Sequence, residues 1–174
     1  MIVASVFQTM RPRKAPLSRH QARGKRAEAH AEADEGEILS WAEVNRTHRI
    51  RNGVYQRGGR LISLLTDFGR INPCYPDQLD ATGDKIYYTG AGRRGDQYLS
   101  PGNRALLSAI ESGHAVPLFN KLSTGRWQHM GQWRVTAGRQ LYNEEEKRML
   151  WLFTLERAEE IGRDGQDEEN AIKH

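Results

Sequence analysis

The 174-residue sequence predicts an α+β fold, a small and strongly curved sheet or barrel with a helix packed against it. Three observations carry that prediction. Five short runs between Arg60 and Leu155, rich in aliphatic and aromatic residues, are each bounded by Gly, Asn, Asp or Pro, the punctuation of strands and turns. One well-capped helical stripe interrupts them. The length supports a single domain with a real core and some peripheral sequence, and is too short for two full-sized domains.

The elements follow in chain order. Residues 11–27 hold Pro12, Pro16, Gly24 and scattered bases with hardly a large apolar side chain, which reads as a flexible basic arm. "RAEAHAEADEGE" is rich in helix formers, but its only apolar side chains are alanines, so it is expected as a marginal solvent-facing helix or a linker. Apolar residues at Ile38, Leu39, Trp41 and Val44 predict a short amphipathic helix packing on the body. Predicted strands are "RLISLL" from Arg60, "KIYYT" from Lys85, "AVPLF" from Ala115, "RWQHMGQWRVT" from Arg126 and "MLWLFTL" from Met149. The helix is capped by Ser100, starts at Pro101, carries Ala105, Leu106, Ala109 and Ile110 on one face, and ends at Gly113. In the strand from Arg126, alternation sends Trp127, Gly131, Trp133 and Val135 to the core and Arg126, Gln128, Gln132 and Arg134 to the surface. The expected organisation is an arm or linker over 1–37, a domain over 38–160 and an acidic tail over 161–174.

Charge is unevenly spread. The net charge is +4, but residues 1–27 carry +7, 28–44 carry −6, 45–143 carry +8 and 144–174 carry −5. A basic body between acidic stretches is the electrostatic footprint of a polyanion binder. Most of the positive charge is Arg, which suits bidentate phosphate and base contacts. The single cysteine, Cys74, excludes an intramolecular disulfide framework and any multi-cysteine zinc site, which fits a reducing interior. "MIVASVF" has no basic residue before it and turns polar at Gln8, so neither a signal peptide nor a membrane span is expected; the reading is a cytoplasmic protein.

Catalytic constellations are sparse. His48, His114 and His129 are isolated: none of the three stands in a His-x-Glu or His-Glu-x-x-His spacing, and no Cys-x-x-Cys occurs. Glu145-x-Lys147 imitates the end of a metal-dependent nuclease motif, with Asp77 or Asp80 as a distant partner, yet "NEEEKR" reads as a solvated turn. The expectation is no enzyme, no metal and no cofactor. Tyr75, Tyr87 and Tyr88 stand instead beside chain breakers, where strands end and loops project. Tyrosines at such ends near arginines are the material of a base-stacking pocket.

"YYTGAGRRGDQYLSPGNRAL" resembles the SRA (SET and RING associated, or YDG) domain, with its Tyr-Thr-Gly-x-Gly segment, variable loop, Asp-Gln pair and Asn-Arg-Ala-Leu helix start. "NGVYQRGGRLISLL", "WQHMGQWRV" and "LWLFTLER" agree with further family segments in order, so the likeness runs from about Asn52 to Arg157. It implies a curved sheet of PUA-like type with helices outside, and a monomer that reads modified cytosine in double-stranded DNA by extruding the base into a pocket. It also implies 5-methylcytosine as the first modification to test; 5-carboxylcytosine comes next, because Gln78 in place of the acid would remove one repulsive charge and a nearby arginine could pair with the carboxylate, with 5-hydroxymethylcytosine beside it. A prokaryotic restriction system whose nuclease is supplied by a partner is one setting. An RNA-binding PUA-like module and a self-sufficient nuclease are the alternatives.

By the resemblance, Tyr88 is one stacking face, Tyr75 the other, and Thr89 lines the pocket. Strand alternation alone groups Tyr87 with Thr89, so Tyr87 competes with Tyr88 unless Gly90 releases the pattern. The acid that pairs with the cytosine edge is Asp77 or Asp80, and one alignment leaves Gln78 where that acid stands. The loop that projects into the duplex in other members is shortened to "AGRRG", so Arg93 and Arg94 are expected on phosphates, together with Arg57, Arg60 and Arg104.

Overall fold

The computed structural model describes residues 33–159. Most of the predicted arm and the acidic tail lie outside the described residues. Eight strands form one mixed sheet: β1 (Ile38–Leu39), β2 (Val54–Arg57), β3 (Arg60–Thr66), β4 (Gln78–Leu79), β5 (Lys85–Thr89), β6 (Val116–Ser123), β7 (Arg126–Asn143) and β8 (Arg148–Arg157). Their order is β2-β3-β6-β7-β8-β5-β4, with β1 added to β7. Every pairing is antiparallel except β3 with β6, where Leu64 and Leu65 lie opposite Leu118 and Phe119. A parallel pair needs a long crossover, and the chain between β3 and β6 uses it to build β4, β5 and the helix α2 (Pro101–Ser112).

α2 begins and ends as its sequence requires. The Ser100 hydroxyl accepts from Asn103 N–H, Pro101 occupies the first turn, and Gly113 closes the helix at φ 62°, a left-handed conformation that favours glycine. Its buried face, Ala105, Leu106 and Ala109, packs into the main core with Leu61, Leu64, Ile86, Trp133, Phe153 and Leu155. A second, smaller cluster gathers Leu39, Val44, Leu65, Phe119 and Trp127, with Trp41 packed against it.

Two sequence expectations are corrected here. Ile38 and Leu39 are not helical: they pair with Gln128 and Trp127, and only Trp41–Val44 forms the helix α1. Ser40 is the reason, because its extended backbone (ψ 165°) interrupts the apparent helical spacing and its side chain, with Glu43, completes a capping box. The strand from Arg126 runs on to Asn143, well past the predicted Thr136. Its outer half is an exposed hairpin arm paired with β8, so neither face carries the alternation that marks a half-buried strand.

Candidate nucleic-acid interface

The site grows from the end of β5. Burial alternates along that strand, leaving Tyr87 40% exposed and Tyr88 3%. Thr89 is buried as well, because alternation stops at Gly90. No side chain fits there: a Cβ would stand 2.7 Å from Trp151 Cβ, 2.8 Å from Asn103 Oδ1 and 2.9 Å from Gln97 Oε1. The two amides form a frame for the chain beyond. Gln97 Nε2 donates to the carbonyls of Gly90 (2.7 Å) and Gly92 (3.0 Å), and its Oε1 accepts from Trp151 N–H (2.8 Å). Asn103 Oδ1 accepts from Ala91 N–H (2.7 Å), while its Nδ2 donates to the carbonyls of Ala91 (3.0 Å) and Tyr98 (2.8 Å). Thus the Gln of the Asp-Gln pair and the Asn of the Asn-Arg-Ala-Leu start serve the backbone. Buried amides satisfied on both ends hold one loop geometry.

Arg148, 4% exposed at the start of β8, ties two loops together. Its guanidinium donates to the carbonyls of Gly92 (2.8 Å) and Gly95 (3.2 Å), which flank the arginine pair, and to Cys74 (3.0 Å), next to Tyr75. Glu146 pairs with its charge.

These loops border a cleft of about 810 Å³. Tyr75, Asp77, Tyr88, Thr89 and Arg93 line it together with Thr66 and Asp67. The Tyr88 hydroxyl is shared between the carbonyls of Leu65 (2.9 Å) and Gly53 (3.1 Å), which fixes its ring in the wall. Asp77 is 5% exposed; its carboxylate accepts from the Thr66 hydroxyl (2.6 Å) and from Thr89 N–H (2.7 Å). Burial pushes its carboxyl up to about 7; those hydrogen bonds oppose the rise, and the Asp67 carboxylate adds to it. The Thr89 hydroxyl is buried beside it and also favours the ionised carboxylate. Burial also raises the Tyr75 and Tyr88 phenols, so both remain neutral donors.

The remaining sequence candidates do not line this cleft. Gln78 is exposed in β4, opposite Tyr87. Asp80 organises the following turn: its carboxylate accepts from the Thr82 hydroxyl and from the N–H groups of Asp84 and Lys85, and the Thr82 bond leads in holding it below the usual range. Arg57 and Arg60 face each other across the β2–β3 hairpin, and Arg94 and Arg104 are exposed. Conversely, Trp41, Arg51, Lys121 and Trp127 line the cleft without having been singled out as site residues. Trp127 alternates as a core residue and is one, at 6% exposure, but its position on the cleft wall depends on the partner strands. Among the described residues no group of His, Cys, Asp and Glu could hold a metal ion, and no helix is long and apolar enough to cross a membrane.

A curved mixed sheet crossed once by α2, with a cleft at the end of β5, has the fold of an SRA domain. A family model described as "ScoMcrA-like, SRA domain" matches residues 48–169, and the chain belongs to that family. Solved structures with the same fold include the SUVH5 SRA domain in complex with hemi-methylated CG DNA (24% identity over 75% of this chain and 91% of that one, TM-score 0.64). The modification-dependent TagI restriction endonuclease matches at 22% identity over 74% of this chain and 51% of its own, TM-score 0.61. KRYPTONITE in complex with mCHG DNA and SAH matches at 20% identity over 75% and 34%, TM-score 0.59. No curated protein matches significantly.

Proposed function

We propose that the chain binds double-stranded DNA carrying a modified cytosine, 5-methylcytosine first, and holds that base, rotated out of the duplex, in the cleft floored by Asp77. It reads the base and does not cut the DNA. The observation that carries this reading is the Asp77 carboxyl: buried, oriented by Thr66 and Thr89, and placed in one cleft with Tyr75, Tyr88 and Thr89. Extruding a base costs a few kcal/mol, and the pocket must return that by stacking and by pairing the exposed edge. Tyr75 and Tyr88 supply the aromatic faces. Cytosine presents an amino donor beside a ring-nitrogen acceptor, and a carboxyl that titrates near neutrality can accept from the first and, when protonated, donate to the second.

The nearby acids also rank the modifications. Gln78, which would spare a 5-carboxyl group one repulsive charge, does not line the cleft, and the carboxyls on the cleft wall are Asp77 and Asp67. A third buried carboxylate among them would be repelled, so a methyl group is favoured. Titrating one duplex carrying cytosine, 5-methylcytosine, 5-hydroxymethylcytosine or 5-carboxylcytosine at fixed salt tests the reading. Binding of every duplex within about twofold, less than one good base contact provides, would refute it. RNA bound as tightly as the modified duplex would favour the RNA-binding alternative, and cleavage in magnesium would favour the nuclease.

A further inference from the structure

We infer that Arg51 and Lys121 form a phosphate clamp at the cleft mouth, held open by Trp41 and Trp127, for the DNA backbone beside an extruded nucleotide. The inference rests on the extruded-base reading above and adds a second anchoring point, distinct from the Arg93 loop. The local structure explains why the clamp exists. β1 adds to β7 with Leu39 opposite Trp127, and the Ser40 cap turns the chain at once into α1, so that Trp41 comes down on Trp127 with ring centroids 5.4 Å apart at 46°. The Arg51 guanidinium then lies 4.1 Å from the Trp41 ring centroid, and Lys121 Nζ lies 5.7 Å from that of Trp127. All four side chains line the same cleft as Tyr75 and Asp77.

Charge decides what this arrangement is for. Among the described residues neither Arg51 nor Lys121 forms an ion pair, whereas Arg148, Arg157 and Lys85 each do. A cation laid on an indole face keeps its charge and its outward donors while losing rotamer freedom, so less ordering is left for the moment an anion arrives. A nucleotide entering the cleft brings its 5′ and 3′ phosphates to the mouth, the fixed geometry of its own backbone. The acidic residues of the cleft, Asp67 and Asp77, are engaged inside the fold and leave the mouth positive. β1 and α1 precede residues 48–169, the span matched by the family, so this chain supplies Trp41 from outside the matched domain.

The test uses the full chain and a duplex with one 5-methylcytosine whose two flanking phosphates are either native or replaced by neutral methylphosphonates. Each phosphate contact contributes about 0.9 to the slope of log K against log salt. Arg51→Gln with Lys121→Gln is expected to flatten the slope by about 1.8, and Arg51→Gln alone, at an exposed position, by about 0.9. Methylphosphonate substitution should weaken wild-type binding much more than binding by the double variant. The ratio of modified to unmodified affinity should stay near its wild-type value, because phosphate contacts carry no base information. An unchanged slope in both variants, or equal methylphosphonate losses in wild type and double variant, would overturn the clamp. A lost base preference with the slope intact would overturn it too, reassigning the residues to the base pocket. If wild type itself shows no preference for the modified base, the extruded-base reading fails instead, whatever the variants do.

Discussion

Replacing Asp77 by Asn isolates the consequence of burying a carboxyl in the cleft floor. The substitution preserves shape, and its hydrogen bonds can be satisfied: the amide oxygen accepts from Thr89 N–H as Oδ1 does now, and the amide N–H donates to the Thr66 hydroxyl. What it removes is the titration. With its carboxyl at about 7 in the folded protein against 3.8 in a free chain, the folded state binds the extra proton between those values. Wild-type stability must therefore fall as pH rises from about 4 to about 7 and level off above it, at up to about 1.4 kcal/mol per pH unit. Three units correspond to about 4 kcal/mol, an upper bound because a relaxing protein and penetrating water soften burial costs. The stability of Asp77→Asn minus that of wild type should then rise with pH and reach a plateau above pH 7. Denaturant unfolding of both proteins at intervals from pH 4.5 to 8.5 measures this difference. A difference independent of pH across that range would mean that Asp77 ionises as an ordinary surface acid, and the burial argument would be wrong.

Tyr88→Phe removes the hydroxyl shared by the Leu65 and Gly53 carbonyls and should destabilise the fold by about 1–2 kcal/mol; a thermal midpoint equal to wild type would sink the assignment. Gly90→Ala drives a Cβ into Trp151, Asn103 and Gln97 and should cost about 1–3 kcal/mol and weaken DNA binding, both read from chemical unfolding and titration of the same sample. Arg148→Met leaves the Gly92, Gly95 and Cys74 carbonyls without their shared donor, so amide exchange across residues 92–95 should accelerate; protection equal to wild type would show that the loop holds itself. Alanine at both Arg93 and Arg94 should flatten the salt dependence of binding, with most of the change reproduced by Arg93→Ala alone, since only Arg93 lines the cleft.

Local chemistry made much of the fold legible in advance. The Ser100–Pro101 start and Gly113 end of α2, the five principal strands and the inward tryptophans of β7 depend on neighbours a few residues away, so caps and alternation specify them directly. The Tyr-Thr-Gly to Asn-Arg-Ala-Leu segment also carried the family. The cleft was another matter. Alternation grouped Tyr87 with Thr89, yet Tyr88 and Thr89 line it together, because Gly90 ends the strand against Trp151 and the next residue escapes the pleat. Asp77, Gln78 and Asp80 could not be ranked from spacing, since the choice depends on which carboxyl meets Thr66 and Thr89 across three separate segments. Arg148 gave no signal in a charged turn, and neither did the pairing of Arg51 with Trp41 or Lys121 with Trp127. Caps and alternation, which act over a few bonds, were enough for α2 and the inner half of β7, whereas Ile38–Leu39 and the outer half of β7 are strand only through their pairing with β7 and β8. Only the tertiary structure decided which side chains share a cleft and which carboxyl is stripped of water, because both are set by contacts between segments tens of residues apart.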